Sequence, residues 1–277
     1  MTIYLNLKQG DILLMITIQD VIDKLEEPIR KTEDTVDNLE FGRPDTIVNG
    51  VLITFMASYR AIQKANELGV NLIISHEGIF YSHRDIYRLL RNNPVYMEKK
   101  RLIQESGLGI YRFHDIIHKY QPDPVTLGLI KSLNWEAYIK KQSSIYTTLK
   151  FPLKPLSEIV QYIKNKLGIP FLRVTGNLYT PCEKIGILVG FRGGVENSIP
   201  LYEEEDVDLI ITGEGPEWET PEYVLDANSQ GKEISLITLG HLESEESGMA
   251  YFAEILKDKF PSISIHFYPK EKIYTIN

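Results

Sequence analysis

Glu67-Leu68-Gly69-Val70-Asn71-Leu72-Ile73-Ile74-Ser75-His76-Glu77 is the stretch on which the fold turns. Gly69 suits the left-handed turn that ends a helix, and the residues before it, from Ala57 to Leu68, have helical spacing. Val70 to Ser75 is then a short, nearly continuous apolar run. Such a run fits a strand whose two faces are both covered, as in a parallel sheet flanked by helices. Polarity changes abruptly at His76 and Glu77, and in open α/β sheets the carboxyl ends of strands are where ligands bind.

Working outward, Ile47 to Phe55 is a β-rich run interrupted by Asn49-Gly50. A long helical pattern extends from about His83 to Gln104, and Gly107 to Phe113 reads as the next strand. The order β-α-β-α-β implies a mostly parallel sheet with helices on its faces. The theme recurs further on. Strands are expected at Tyr146–Phe151, Phe171–Thr175, Lys184–Val189, Leu209–Thr212, Ile234–Leu239 and Ser262–Phe267. Helices are expected at Pro155–Leu167, Pro216–Asn228 and His241–Lys257, with Trp218 and Tyr223 anchoring the second of these. The fold class is therefore α/β, with two domains of mostly parallel or mixed sheets flanked by helices. Pro122-Asp123-Pro124 and the polar run Lys140-Lys141-Gln142-Ser143-Ser144 are the candidate boundaries.

Composition narrows the function. The 277 residues carry a net charge of −8, which argues against a large nucleic-acid footprint, since phosphate contacts need clustered Lys and Arg. The run Lys99-Lys100-Arg101 reads as a solvated helix end. Cys182 is the only cysteine, so metal would have to be held by imidazole nitrogens and carboxylate oxygens. No apolar stretch approaches the roughly 20 residues of a membrane span, and the expected location is cytoplasmic. Residues 1–14 read as an extra strand or an over-extended start. A helix through Leu25 begins after them, capped by Thr17 or Asp20.

The histidines are placed unevenly. His76 and Glu77 follow one strand, His114 and His118 follow the strand ending Tyr111-Arg112-Phe113, and His241 follows Ile237-Thr238-Leu239-Gly240. Glu245 lies four residues after His241, on the same face if a helix starts near Gly240. A lone strand-end histidine is more often a hydrogen-bonded loop residue than a ligand. Three clusters at three strand ends bring the metal reading level with the loop reading, where one would not. The motif at His76 is not the metalloprotease H-E-x-x-H, because Phe80 stands where the second histidine should be. This donor mixture suits zinc, manganese, iron, cobalt or nickel better than calcium. His83 and His266 read as structural or surface residues.

Two further strand ends matter less. Val189-Gly190-Phe191-Arg192-Gly193-Gly194 offers either an anion-binding nest of amides, with Arg192 beside it, or simply a tight strand-to-helix turn. The second reading is favoured, since neither phosphate-binding glycine motif is present. Thr212-Gly213-Glu214 places one carboxylate, Glu214, to look towards a cleft. Glu217, Glu219 and Glu222 read as solvated helix residues.

From about Met15 to its end the sequence resembles the NIF-three-like proteins, known also as GTP cyclohydrolase I type-2 homologues. The likeness rests on Thr35-Val36-Asp37-Asn38 with Gly42, on Glu67 through Glu77, on Tyr111-Arg112-Phe113-His114-Asp115, on Ile211-Thr212-Gly213-Glu214, and on Leu239-Gly240-His241 with Glu245. The resemblance implies a dinuclear centre built from chain-distant segments, and a homohexameric toroid. It implies two divalent ions, Zn, Fe, Mn, Co or Ni, held by His76, Glu77, His118, His241 and Glu245. His76 and His241 would serve one ion, Glu77 and His118 the other, with Glu245 bridging. This chain departs from the usual pattern twice. Glu77 stands in place of the second residue of a His-His pair, and His118 in place of an aspartate, so the total ligand charge is unchanged. Asp115 is expected to orient His118 or His241.

Two metals about 3.5–4 Å apart suit a hydrolytic displacement. The expected function is thus a metal-dependent hydrolase that uses a metal-bound hydroxide on a small nucleotide-like or phosphorylated substrate. Glu245, His114 and Glu214 are its candidate catalytic residues. The alternative is a non-catalytic, regulatory metal-binding hexamer. If the late His241 segment is to meet the early His76 and His118 segments, residues 1–140 and 236–277 form the metal-site domain and residues 141–235 an inserted one.

Overall fold

Local chemistry places the first elements. The computed structural model describes residues 15–29, 34–84 and 90–275, and the readings of residues 1–14 lie outside them. Helix α1 (Ile18–Glu26) starts with a capping box in which Thr17 and Asp20 satisfy each other's backbone amides, so both expected caps are used. Helix α2 (Tyr59–Leu68) is capped by Ser58 and closed by Gly69 at φ 67°. The helix expected from about His83 lies partly outside the described residues; within them helix α3 is Pro94–Ser106. Asn93 accepts from the Val95 and Tyr96 amides and Pro94 supplies the first-turn φ, so the helix starts there. A five-residue helix, α4 (Asp115–Lys119), follows the fourth strand.

The chain divides into two compact units, Met1–Tyr120 with Ala253–Lys270, and Gln121–Phe252 with Glu271–Asn277. The first unit has a five-stranded sheet. Its strands are β1 (Asn38–Phe41), β2 (Gly50–Met56), β3 (Leu72–Glu77), β4 (Gly109–Arg112) and β11 (Ser264–Phe267), in the order β1-β4-β3-β2-β11. All neighbours are parallel except β1, which runs antiparallel to β4. Strand β3 is central, and every one of its residues is buried. The apolar run does not stop at Ser75, because His76 and Glu77 continue the strand. Leu52, Ile62, Ile73, Tyr96, Ile103 and Ile110 join the core on one side of the sheet.

The second unit has a six-stranded mixed sheet. Strands β5 (Ile139–Gln142), β6 (Thr147–Pro155), β7 (Arg173–Thr175), β8 (Pro181–Leu188), β9 (Leu209–Thr212) and β10 (Ser235–Thr238) take the order β5-β6-β8-β9-β10-β7. Strands β8, β9 and β10 are mutually parallel, and the edges are antiparallel. The helices are α5 (Pro124–Ser132), α6 (Leu156–Leu167), α7 (Val195–Glu203), α8 (Thr220–Ser229) and the first turns of α9 (His241–Lys259). Both units are therefore α/β, as the alternation of patterns indicates.

The division falls at residues 120 and 252, not at 140 and 235. Strand pairing explains the difference, since β10 lies hydrogen-bonded between β9 and β7 and so draws the start of α9 into the second unit. Helix α5 adds to this: a Cβ on Gly128 would stand 2.5 Å from the Gly248 Cα, so the two helices meet backbone to backbone. The polar run Lys140–Ser144 begins in edge strand β5 and is not a linker. Trp218 anchors nothing, being 78% exposed ahead of α8. No helix among the described residues is long and apolar enough to cross a membrane.

Candidate metal centre

In the first unit, the ends of β3 and β4 bring four histidines together around Glu77. His76 is fully buried, and its ring stacks on His114 at 4.6 Å and meets His118 edge-on at 5.0 Å. The rings of His114 and His118 lie 5.4 Å apart. One ligand atom from each of His76, His114 and His118 falls within 4.8 Å of the others, and so does one from each of Glu77, His83 and His114.

Hydrogen bonds decide which ring nitrogens face inward. His76 Nδ1 lies 3.2 Å from the Phe113 carbonyl, which can only accept, so Nδ1 carries the hydrogen and Nε2 the lone pair. His114 Nδ1 lies 2.9 Å from the Asp115 carboxylate, which fixes the same tautomer. Burial alone would raise the Asp115 carboxyl. The bonds from His114, the Val36 amide and the Thr35 hydroxyl outweigh it and hold the group well below the usual carboxylate range. His114 Nε2 then points its lone pair at Glu77 Oε1, 3.6 Å away. Two electron-rich atoms facing each other in a buried place suit a cation between them.

The early motif Thr35-Val36-Asp37 has its role here. Asp37 is buried, and its two oxygens accept the backbone amides of His114, Asp115 and Ile116. It thus acts as a remote cap for α4, whose own preceding residue, His114, makes no side-chain cap. Thr35 and Val36 hold Asp115. Asp115 therefore orients His114, where the sequence suggested His118 or His241.

The second unit carries the other cluster. His241 Nε2 lies 3.1 Å from Glu245 Oε2, one helical turn on, and its Nδ1 lies 3.1 Å from Glu214 Oε1. The bond from His241 lowers the Glu214 carboxyl. Glu245 is 2% exposed, and space for it depends on Gly190, where a Cβ would stand 2.1 Å from Glu245 Oε1. The glycine turn is accounted for by structure. The Gly190 amide donates to Ser244 Oγ, the Gly193 amide to the Glu214 carbonyl, and Gly190 has φ 63°. Arg192 donates to the Ile145 carbonyl. Those groups are spoken for, which favours the tight turn over an anion nest.

Two residues were invisible as site members in the sequence. His83 sits on the loop after β3 with its ring 5.0 Å from that of His114, and Arg112, buried at the end of β4, reaches both His83 and Glu77. The five residues between Glu77 and His83 carry no periodic signal, and Arg112 read as a strand residue. His266 stays apart from the cluster, with Nε2 2.8 Å from Ser264 Oγ.

A mixed α/β chain with imidazole and carboxylate groups gathered at strand ends has the makings of a metal-binding protein. The chain belongs to the Duf34/NIF3 (NGG1p interacting factor 3) family, whose profile matches residues 16–272. A Clostridium perfringens protein called GTP cyclohydrolase 1 type 2 homolog is 22% identical over 88% of this chain and 93% of its own length. A Pyrococcus horikoshii protein of the same name is 25% identical over 77% and 81%. The crystal structure of the Staphylococcus aureus hypothetical protein SA1388 superposes with a TM-score of 0.75 at 19% identity, covering 94% of this chain and 99% of that one. At that identity the likeness concerns the fold. The buried His/Glu group itself has the composition to hold a metal ion, and the fixed tautomers of His76 and His114 fit that use.

Proposed function

We propose that this protein is a metal-dependent hydrolase acting on a small nucleotide-like or phosphorylated substrate. Its candidate metal donors are His76, Glu77 and His118 in the first unit and His241 and Glu245 in the second, for divalent ions. The observation that carries the reading is the inward lone pair on fully buried His76 Nε2, set by the Phe113 carbonyl at Nδ1, with the His118 ring edge-on to it. Imidazole and carboxylate donors together favour Zn, Fe, Mn, Co or Ni over calcium. When bound, such ions supply Lewis acidity and an acidified water for hydrolysis.

The chain's own groups have definite parts in this reading. Glu245, buried and one turn from His241, would supply negative charge to a bound ion. Glu214 keeps Nδ1 of His241 engaged, so that Nε2 serves as donor. His114 was expected to carry protons, but its lone pair is better placed to ligate. The name shared by the relatives directs the substrate search to nucleotides, and the resemblance directs the assembly to a homohexamer.

The test is a panel of nucleotides, cyclic nucleotides and phosphoesters offered to the full chain after reconstitution with each metal. Turnover that requires metal and disappears in His241→Ala is the expected result. Turnover that survives His241→Ala refutes the site. Full metal loading with no turnover on any substrate supports the non-catalytic role, and light scattering of the same sample checks the hexamer.

A further inference from the structure

We propose that His83 and His114, with the Glu77 carboxylate, form a further divalent-cation site, with Arg112 as its resident competitor. The proposal rests on the metal reading above, shares Glu77 with it, and adds His83 and His114, which that reading does not count as ligands. All four groups belong to the first unit.

The donor atoms converge. His83 Nδ1 lies 3.9 Å from Glu77 Oε2, and His114 Nε2 lies 3.6 Å from Glu77 Oε1. Arg112 Nη2 stands 3.1 Å from His83 Nδ1 and 3.4 Å from Glu77 Oε2. A guanidinium only donates, so His83 Nδ1 is accepting and its lone pair points into the same space as the other two. Arg112 thus already does in part what a metal ion would do there, bridging a carboxylate and an imidazole with positive charge.

His83 is built into this position. Arg112 Nη1 donates to its backbone carbonyl at 2.7 Å, and the buried Lys99 ammonium donates to the Ile79 carbonyl in the same loop. A Cβ on Gly78 would stand 2.6 Å from the Ser82 carbonyl, so the loop doubles back tightly. Tyr81 takes φ 60°, a left-handed conformation costly for an aromatic residue and kept only where the surroundings enforce it. Two buried cations and a strained turn hold the imaginable alternatives for His83 to a narrow range.

The physical consequence is a binding step weaker than those of the five-ligand reading. Ligation by His83 Nδ1 requires Arg112 to give up that atom, and a positive charge stays close by, so this position binds more weakly than one served by His76 and His118. His83 is half-exposed, so replacing it leaves the core intact.

The experiment is equilibrium dialysis of the metal-stripped full chain against Co2+, with the bound metal counted and the visible absorption of the bound ion recorded. His83→Ala is expected to lose the weaker binding step, shifting it at least about tenfold to higher Co2+, while the tighter step and its spectrum persist. His83→Asp, which restores a donor, is expected to recover the step. His76→Ala should do the reverse, losing the tighter step. If His83→Ala leaves every binding step and the spectra unchanged, the assignment of His83 is overturned while the metal reading stands. If the wild-type chain takes up no Co2+ at all, both fall together.

Discussion

Removing the Asp37 carboxylate tests whether the early Thr-Val-Asp motif builds the site or merely precedes it. In Asp37→Ala, three backbone amides lose their acceptor at once: His114, Asp115 and Ile116. They do not suffer equally. Ile116 is fully buried, so its orphaned amide costs close to the upper end of the range for an unmade buried hydrogen bond, about 3 kcal/mol. His114 and Asp115 are part-exposed, water can reach their amides, and each loses only about 1 kcal/mol. The helix they begin has five residues and no other cap, so nothing local compensates. The sum, near 5 kcal/mol before relaxation and about 3–5 after it, corresponds to a fall in Tm on the order of 10 °C. Asp37→Asn keeps one acceptor oxygen and should cost less than half as much. Thermal unfolding followed by circular dichroism reads both. An Asp37→Ala protein melting within about 2 °C of wild type would refute the idea that this carboxylate holds the His114 segment in place.

Two other perturbations follow from particular contacts. Burial pushes the Lys99 ammonium down to about 8 from 10.5, with Lys270 adding to the shift. The unfolded chain therefore binds more protons between those values, and stability rises with pH across that window by up to roughly 3 kcal/mol. Lys99→Met should flatten the rise in Tm from pH 7 to pH 10, and equal slopes for the two proteins would count against it. Gly190→Ala puts a methyl where Glu245 Oε1 now lies, at a left-handed φ, so it should displace that carboxylate and weaken Co2+ binding at least about tenfold; unaltered affinity would show that Glu245 has no part in binding.

What could be read from the sequence was what repeats. Strands β3, β9 and β10 are short apolar runs covered on both sides, and α2 and α6 end at glycines in the left-handed region. What escaped reading had no period. Edge strands β1 (Asn-Leu-Glu-Phe) and β5 (Ile-Lys-Lys-Gln) are four residues each and at least half polar, because an edge strand has less to bury. The unit boundary escaped because it is set by which strand β10 pairs with, a non-local choice. The strand-end histidines were conspicuous, yet the partner of each was not. Asp115 has three histidines within a few residues or one sheet position, and only the bonds from Thr35 and Val36 turn it towards His114. His83 and Arg112 act through a folded-back loop and a buried side chain, and neither feature leaves a spacing to find.

The two clusters are built on one device. In the first unit Asp115 holds Nδ1 of His114 and Glu77 faces its Nε2, and in the second Glu214 holds Nδ1 of His241 and Glu245 faces its Nε2. In each, one carboxylate fixes the tautomer and the other shares the ligand side. The supports differ in freedom, and that difference is testable. Asp115 Oδ2 is already committed to Thr35 Oγ1 and the Val36 amide, both at 3.0 Å. In Asp115→Asn the carbonyl oxygen must stay with those two donors, so the new amino group faces His114 Nδ1. The ring then accepts at Nδ1 and carries its hydrogen on Nε2, aimed at Glu77, and it ceases to be a ligand. Glu214 has a side chain 43% exposed, so in Glu214→Gln the amide can rotate and still offer oxygen to His241. Asp115→Asn should therefore weaken Co2+ binding by about 10–100-fold, and Glu214→Gln only a few-fold. Equal losses from the two substitutions, or a greater loss from Glu214→Gln, would mean that tautomer control is not what these carboxylates contribute.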